Sequence, residues 1–171
     1  MKMKTTLKNI FSHSDYSKKL IQGVVLLWIT TFIHHIYGAV AYSTLWRVIA
    51  PILIFPILLY FTIVQQNKLI KYNNNKNQIV LILMILFIWV IPIGVIEGGY
   101  GHLLKNVMFY LNFDQDILHN MFPPELGKTS FFESPNDYFF ELSGILQFFV
   151  GIYTLIYLVK LIKEFRISSV K

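Results

Sequence analysis

Four apolar stretches divide the chain, at residues 20–41, 46–65, 79–97 and 138–162. None alternates with the period of two that marks a strand, and none carries the one-sided polar stripe of a helix packed in a soluble core. A helix rises about 1.5 Å per residue and the hydrocarbon core of a bilayer is about 30 Å thick, so each stretch is long enough to cross. The pattern predicts an all-α integral membrane protein, a four-helix bundle in one transmembrane domain spanning 1–171.

Helix-ending chemistry separates the runs. Tyr42, Ser43 and Thr44 form a turn, and Ser43 or Thr44 is placed to cap the second helix. Pro51 and Pro56 each remove a backbone hydrogen bond, so the second span should bend. Residues 66–78 are polar, asparagine-rich and basic. The third run closes on Glu97-Gly98-Gly99-Tyr100-Gly101-His102, read as a helix stop followed by a long extracytoplasmic loop, 98–137, with a short interfacial helix over 102–111. Pro123, Pro124 and Pro135 are turn residues there, and Phe131 and Phe132 are expected to pack the loop back onto the bundle or the headgroups. Asn136 or Asp137 is a natural cap for the fourth span. Gly144 and Gly151 give that span one smooth side for close helix contact.

Lysine and arginine cluster before the first span, between the second and third, and after the fourth. The positive-inside rule therefore predicts an antiparallel up-down topology with both termini in the cytoplasm. A basic start, an apolar core and Ala39-Val40-Ala41 also resemble a cleavable signal segment. His34 and His35 inside that core, and its length, favour a retained span.

Composition agrees with the pattern. Of 171 residues only 14% are charged, where a soluble domain carries about a quarter. The net charge of +6 is spread over loop ends with no basic helix face, which points to anionic lipid and not to nucleic acid. Zero cysteines exclude disulfides, thiolate metal sites and the quinone-linked thiol oxidoreductases, which are also small four-helix membrane proteins. In outline the chain resembles small four-span bacterial membrane proteins, which implies a multi-pass protein of a bacterial plasma membrane.

The predicted topology gathers the polar intruders in one leaflet. His34 and His35 lie in the outer part of span one and Arg47 starts span two. Glu97 and His102 end span three, and Glu141 starts span four. A charged side chain at mid-membrane costs about 2.5–3.5 kcal/mol on insertion scales, so such groups face inward and pair. Arg47 with Glu97 or Glu141 is the expected ion pair. His34, His35, Glu97 and His102 make a plausible ligand set for a divalent transition metal such as zinc or iron, although no HExxH-type spacing is present. Histidines on facing helices also fit haem. Without a metal, Glu97 and Glu141 are candidate acid/base groups for an enzyme on a lipid or isoprenoid, or for a small transporter or proton-linked carrier. A structural or partner-binding subunit is the remaining reading, its polar network serving only to dock the helices. The glycines of 98–101 follow a helix and lack a GK[ST] ending, so they do not form a nucleotide loop.

Overall fold

The computed structural model describes residues 2–72, 74–122 and 137–169, with side chains described between 15 and 165. The expectations for Pro123, Pro124, Phe131, Phe132, Pro135 and Asn136 lie outside these residues. Among the described residues every regular element is helical, and four helical stretches are long and apolar enough to cross a membrane: Asp15–Ala41, Leu45–Tyr72, Asn75–Tyr110 and Tyr138–Phe165.

Helix α1 (Lys2–Ala41) packs along α6 (Tyr138–Ser169). Their contacts descend in register: Tyr37 with Asp137, His34 with Ser143, Thr31 with Gln147, Gly23 against Thr154 and Tyr16 with Tyr157. At the top of α6 the side chain of Asp137 accepts from the Phe140 amide at 3.0 Å, the cap expected there. Thr44 does not cap the second span. Its hydroxyl turns back to the Gly38 carbonyl, and its amide to that of Ala39, so it closes α1 instead. Ser43 takes a positive φ of 56° in that turn.

The second span begins with a 3-10 turn (Leu45–Val48) and a π-wound turn (Ala50–Ile54) before α2 (Phe55–Tyr72). The prolines explain the winding. The Phe55 amide bonds to the carbonyl five residues back, at Ala50. The next such donor would be residue 56, a proline with no N–H, so the Pro51 carbonyl loses its backbone partner. Trp28 Nε1 from α1 fills that place at 2.9 Å.

The third span departs most from expectation. After α3 (Asn75–Met84) the chain winds as a π-helix from Ile85 to Leu104 and continues directly into α4 (Lys105–Tyr110). Glu97–His102 is therefore helix and not a stop, and residues 105–110 prolong the span where a separate interfacial helix was expected. Its buried positions are Ile85, Trp89, Val90, Ile93, Gly94, Gly98 and His102, a stripe that steps by about four residues along the segment. The glycines stay helical because the packing needs them bare: Gly94 meets Gly151, and Gly98 lies against the backbone of Gly144 and Phe148. Helix α5 (Gln115–Met121) folds back, with Leu118 and Phe122 on Met108, and the Tyr100 hydroxyl donates to the Met121 carbonyl at 2.5 Å.

The bundle has two unlike halves. In one, Leu20, Val24, Leu27, Leu69, Leu81, Ile85, Trp89 and Leu158 pack into a buried apolar core. The other half contains the histidines and glutamates.

Candidate functional site

Adjacent residues on an α-helix diverge by about 100°, so His34 and His35 address different neighbours. His34 is buried and faces α6. Its Nδ1 lies 2.9 Å from Ser143 Oγ, and Ser143 in turn donates to the Phe140 carbonyl at 2.9 Å. The imidazole stacks on Phe140, with ring centres 4.1 Å apart. Its Nε2 points at Glu97 Oε1 from 3.6 Å. His35 faces the π segment and the turn after α1, with Nε2 2.8 Å from Glu97 Oε1 and Nδ1 2.9 Å from the Arg47 carbonyl.

The contacts of His35 fix a proton count. A carbonyl only accepts, so Nδ1 carries hydrogen. A carboxylate also only accepts, so the 2.8 Å contact needs a second proton, on either Nε2 or Glu97. The pair holds one shared, transferable proton. Glu97 and His102 are five residues apart and would diverge on an α-helix, whereas the π winding turns both toward the bundle interior.

His102 heads a second group. It is buried, and its Nδ1 lies 2.9 Å from Glu141 Oε2. Lys105 Nζ reaches Glu141 Oε1 at 2.5 Å, and Asn106 Nδ2 reaches Oε2 at 2.6 Å. Lys105 is only 2% exposed, so this is a fully desolvated ion pair. The carboxylate accepts from His102 Nδ1–H and turns Nε2 away from it, the arrangement by which a carboxylate orients an imidazole for use as a base. The two groups touch through the His34 and His102 rings, edge to face at 4.7 Å. Gly144 makes room for the His102 ring, since a Cβ there would overlap it.

All four proposed core residues thus lie in one polar half, where His34, His35, Glu97 and His102 form a connected network with Glu141. The cation described at Glu141 is Lys105, where Arg47 was the expected partner. The Arg47 guanidinium lies over the rings of Trp46 and Phe140, at 5.6 and 5.9 Å, and its carbonyl holds His35. Sequence reasoning missed Lys105, Asn106 and Ser143. Lys105 and Asn106 follow His102 at helical spacings of three and four, and only the assumed stop concealed that. In the turn beside the site, Tyr42 packs against Phe140, and burial with the nearby Asp137 and Glu141 carboxylates pushes its phenol up to about 12.

Among the described residues no group of three His, Asp or Glu is arranged to hold a metal ion. Nδ1 of each imidazole meets Ser143, the Arg47 carbonyl or Glu141, while His35 Nε2 and Glu97 Oε1 are taken up by their contact with each other.

Ser143→Ala tests the first group. The substitution leaves His34 Nδ1 without its hydroxyl, and a buried polar group lacking its partner costs about 1–3 kcal/mol. Thermal unfolding in detergent should register a loss of that size.

No protein-family model, curated protein or solved structure matches this chain. What the fold and the site define is a class: an all-helical chain with four helices suited to membrane spanning and a buried His/Glu polar network.

Proposed function

We propose that this is a multi-pass membrane protein, antiparallel with both termini in the cytoplasm, whose His/Glu network is an acid–base site in the extracytoplasmic leaflet acting on a membrane-soluble substrate. The observation that carries the reading is the paired state of the titratable groups. Glu141 prepares His102 as a base, while His35 and Glu97 share a proton available for donation. Neighbouring groups held in opposite roles are what general acid–base chemistry needs. His34 lies between them, with Nε2 3.6 Å from Glu97 Oε1 and Nδ1 on the Ser143 hydroxyl.

A proton-linked carrier needs a route through the other half of the bundle. There Leu20, Val24, Leu27 and Ile85 are fully buried in apolar contact, so the site opens to one leaflet more readily than to both sides. A transition-metal site would need His35 Nε2 and Glu97 Oε1 to give up their 2.8 Å contact.

The test compares lipid extracts of membranes holding the wild-type chain with those holding His102→Gln or Glu97→Gln, by mass spectrometry. At least one lipid-soluble component should change at least about tenfold with the wild type and not with either variant, since losing one acid–base group costs about 10²–10⁴ in rate. Identical extracts from all three, with the variants folded, would overturn the reading. Loss of thermal stability alone would then favour a network that only docks helices. Zinc or iron bound near one per chain and lost in His34→Ala would favour a metal site.

A further inference from the structure

Resting on that acid–base reading, we infer that the groove between α4 and the first turns of α6 binds the chain of a neutral, hydroxyl-headed amphiphile, with the hydroxyl on Asn106 beside Glu141. The groove has a volume of about 510 Å³, within the range of small-molecule sites. Val107, Tyr110, Leu142 and Ile145 line it together with Asn106 and Glu141. Its walls match a hydrocarbon chain, but a chain leaving lipid for an apolar groove gains no hydrophobic free energy. Selection must therefore come from the head.

Asn106 defines that head. Its Nδ2 lies 2.8 Å from the His102 carbonyl and 2.6 Å from Glu141 Oε2, two acceptors that together use both amide hydrogens. The amide orientation is thereby fixed, and Oδ1 is left as an acceptor for a ligand that donates. An ionised acid head has no hydrogen to give this oxygen. An ammonium head could donate, but it would be desolvated with no unmatched charge to offset the cost, since Lys105 already balances Glu141. A neutral hydroxyl suits the position, and there it sits beside the Glu141 carboxylate that orients His102.

The experiment uses the full-length protein in phosphatidylcholine nanodiscs with a diazirine-bearing long-chain alcohol. Photolabelling should map to residues of the groove, such as Val107 and Ile145, and be competed by hexadecanol but not by palmitate or hexadecylamine. Asn106→Leu should lower labelling about three- to tenfold, the value of one neutral hydrogen bond. Ile145→Trp, which fills the groove without touching the polar network, should lower it as much or more. Labelling indifferent to both variants, or competed equally by all three head types, would mean that the groove holds bulk bilayer lipid only and would overturn the inference. The two proposals fail separately. Selective labelling with unchanged lipid extracts would retain the site and remove the chemistry, and altered extracts without selective labelling would do the reverse.

Discussion

Glu141→Ala is expected to lower the free energy of unfolding by about 3–5 kcal/mol, because removing one partner of a buried ion pair leaves the other desolvated without its counter-charge. Three donors converge on this carboxylate: Lys105 at 2.5 Å, Asn106 at 2.6 Å and His102 at 2.9 Å. Lys105 is almost wholly buried and would lose the carboxylate that balances it. Lys105→Met alone should also be costly, since it strands the acid. The double variant Glu141→Leu with Lys105→Met should recover the part of the loss due to the stranded charge, while His102 and Asn106 still lack their acceptor. The measurement is a double-mutant cycle by equilibrium unfolding in detergent, with Glu141→Leu and Lys105→Met as its single variants. A cost under about 1 kcal/mol for Glu141→Ala, the value of a solvated surface pair, would show that the pair is not desolvated as described. The double variant also separates folding from chemistry. It should fold and still fail the lipid-extract test, since the base His102 has lost the carboxylate that sets its tautomer.

The four long apolar helices were legible because lipid imposes a strong rule: a segment able to cross must be long, apolar and helical. The convergence of His34, His35, Glu97, His102 and Glu141 followed from the second half of that rule, that polar groups inside such segments must find one another. Partner identity was not legible. Arg47 looked like the natural cation for Glu141 because it starts a span, but the 3-10 turn at Leu45–Val48 places its guanidinium over Trp46 and Phe140. Lys105 looked like a loop residue because three glycines preceded it. Helix and strand periods of 3.6 and 2 are the usual templates for reading a chain. The third helix winds as a π-helix from Ile85 to Leu104, which neither template describes, and its glycines read as a stop. The dense glycines carried the opposite meaning from the one assumed. They mark where two backbones touch, and only the partner helix reveals that.

That reversal gives the second large expected effect, a graded response within Glu97–His102. Gly98→Ala should destabilise the protein by about 1–3 kcal/mol or more, the cost of overpacking a tight interface. An added Cβ would lie 2.5 Å from the Phe148 amide nitrogen and 2.8 Å from the Gly144 carbonyl oxygen. Both are backbone atoms, so relief requires α6 to move away from the π segment, which also pulls Glu141 from His102. Gly99→Ala should cost less, because its first contact is the Phe148 ring at 2.9 Å, and a side chain can rotate. Gly101→Ala should be neutral or gain up to about 1 kcal/mol. Its added carbon meets nothing closer than the Ile96 carbonyl oxygen at 3.5 Å, and alanine holds a helix better than glycine. If the stretch were a flexible break, all three positions would tolerate alanine alike, and equal melting temperatures for the three variants would contradict the helix. The ordering Gly98, Gly99, Gly101 from most to least damaging is specific to a helix whose face at Gly98 is pressed onto α6. In that arrangement the same bare backbone that brings the helices together sets His102 against Glu141.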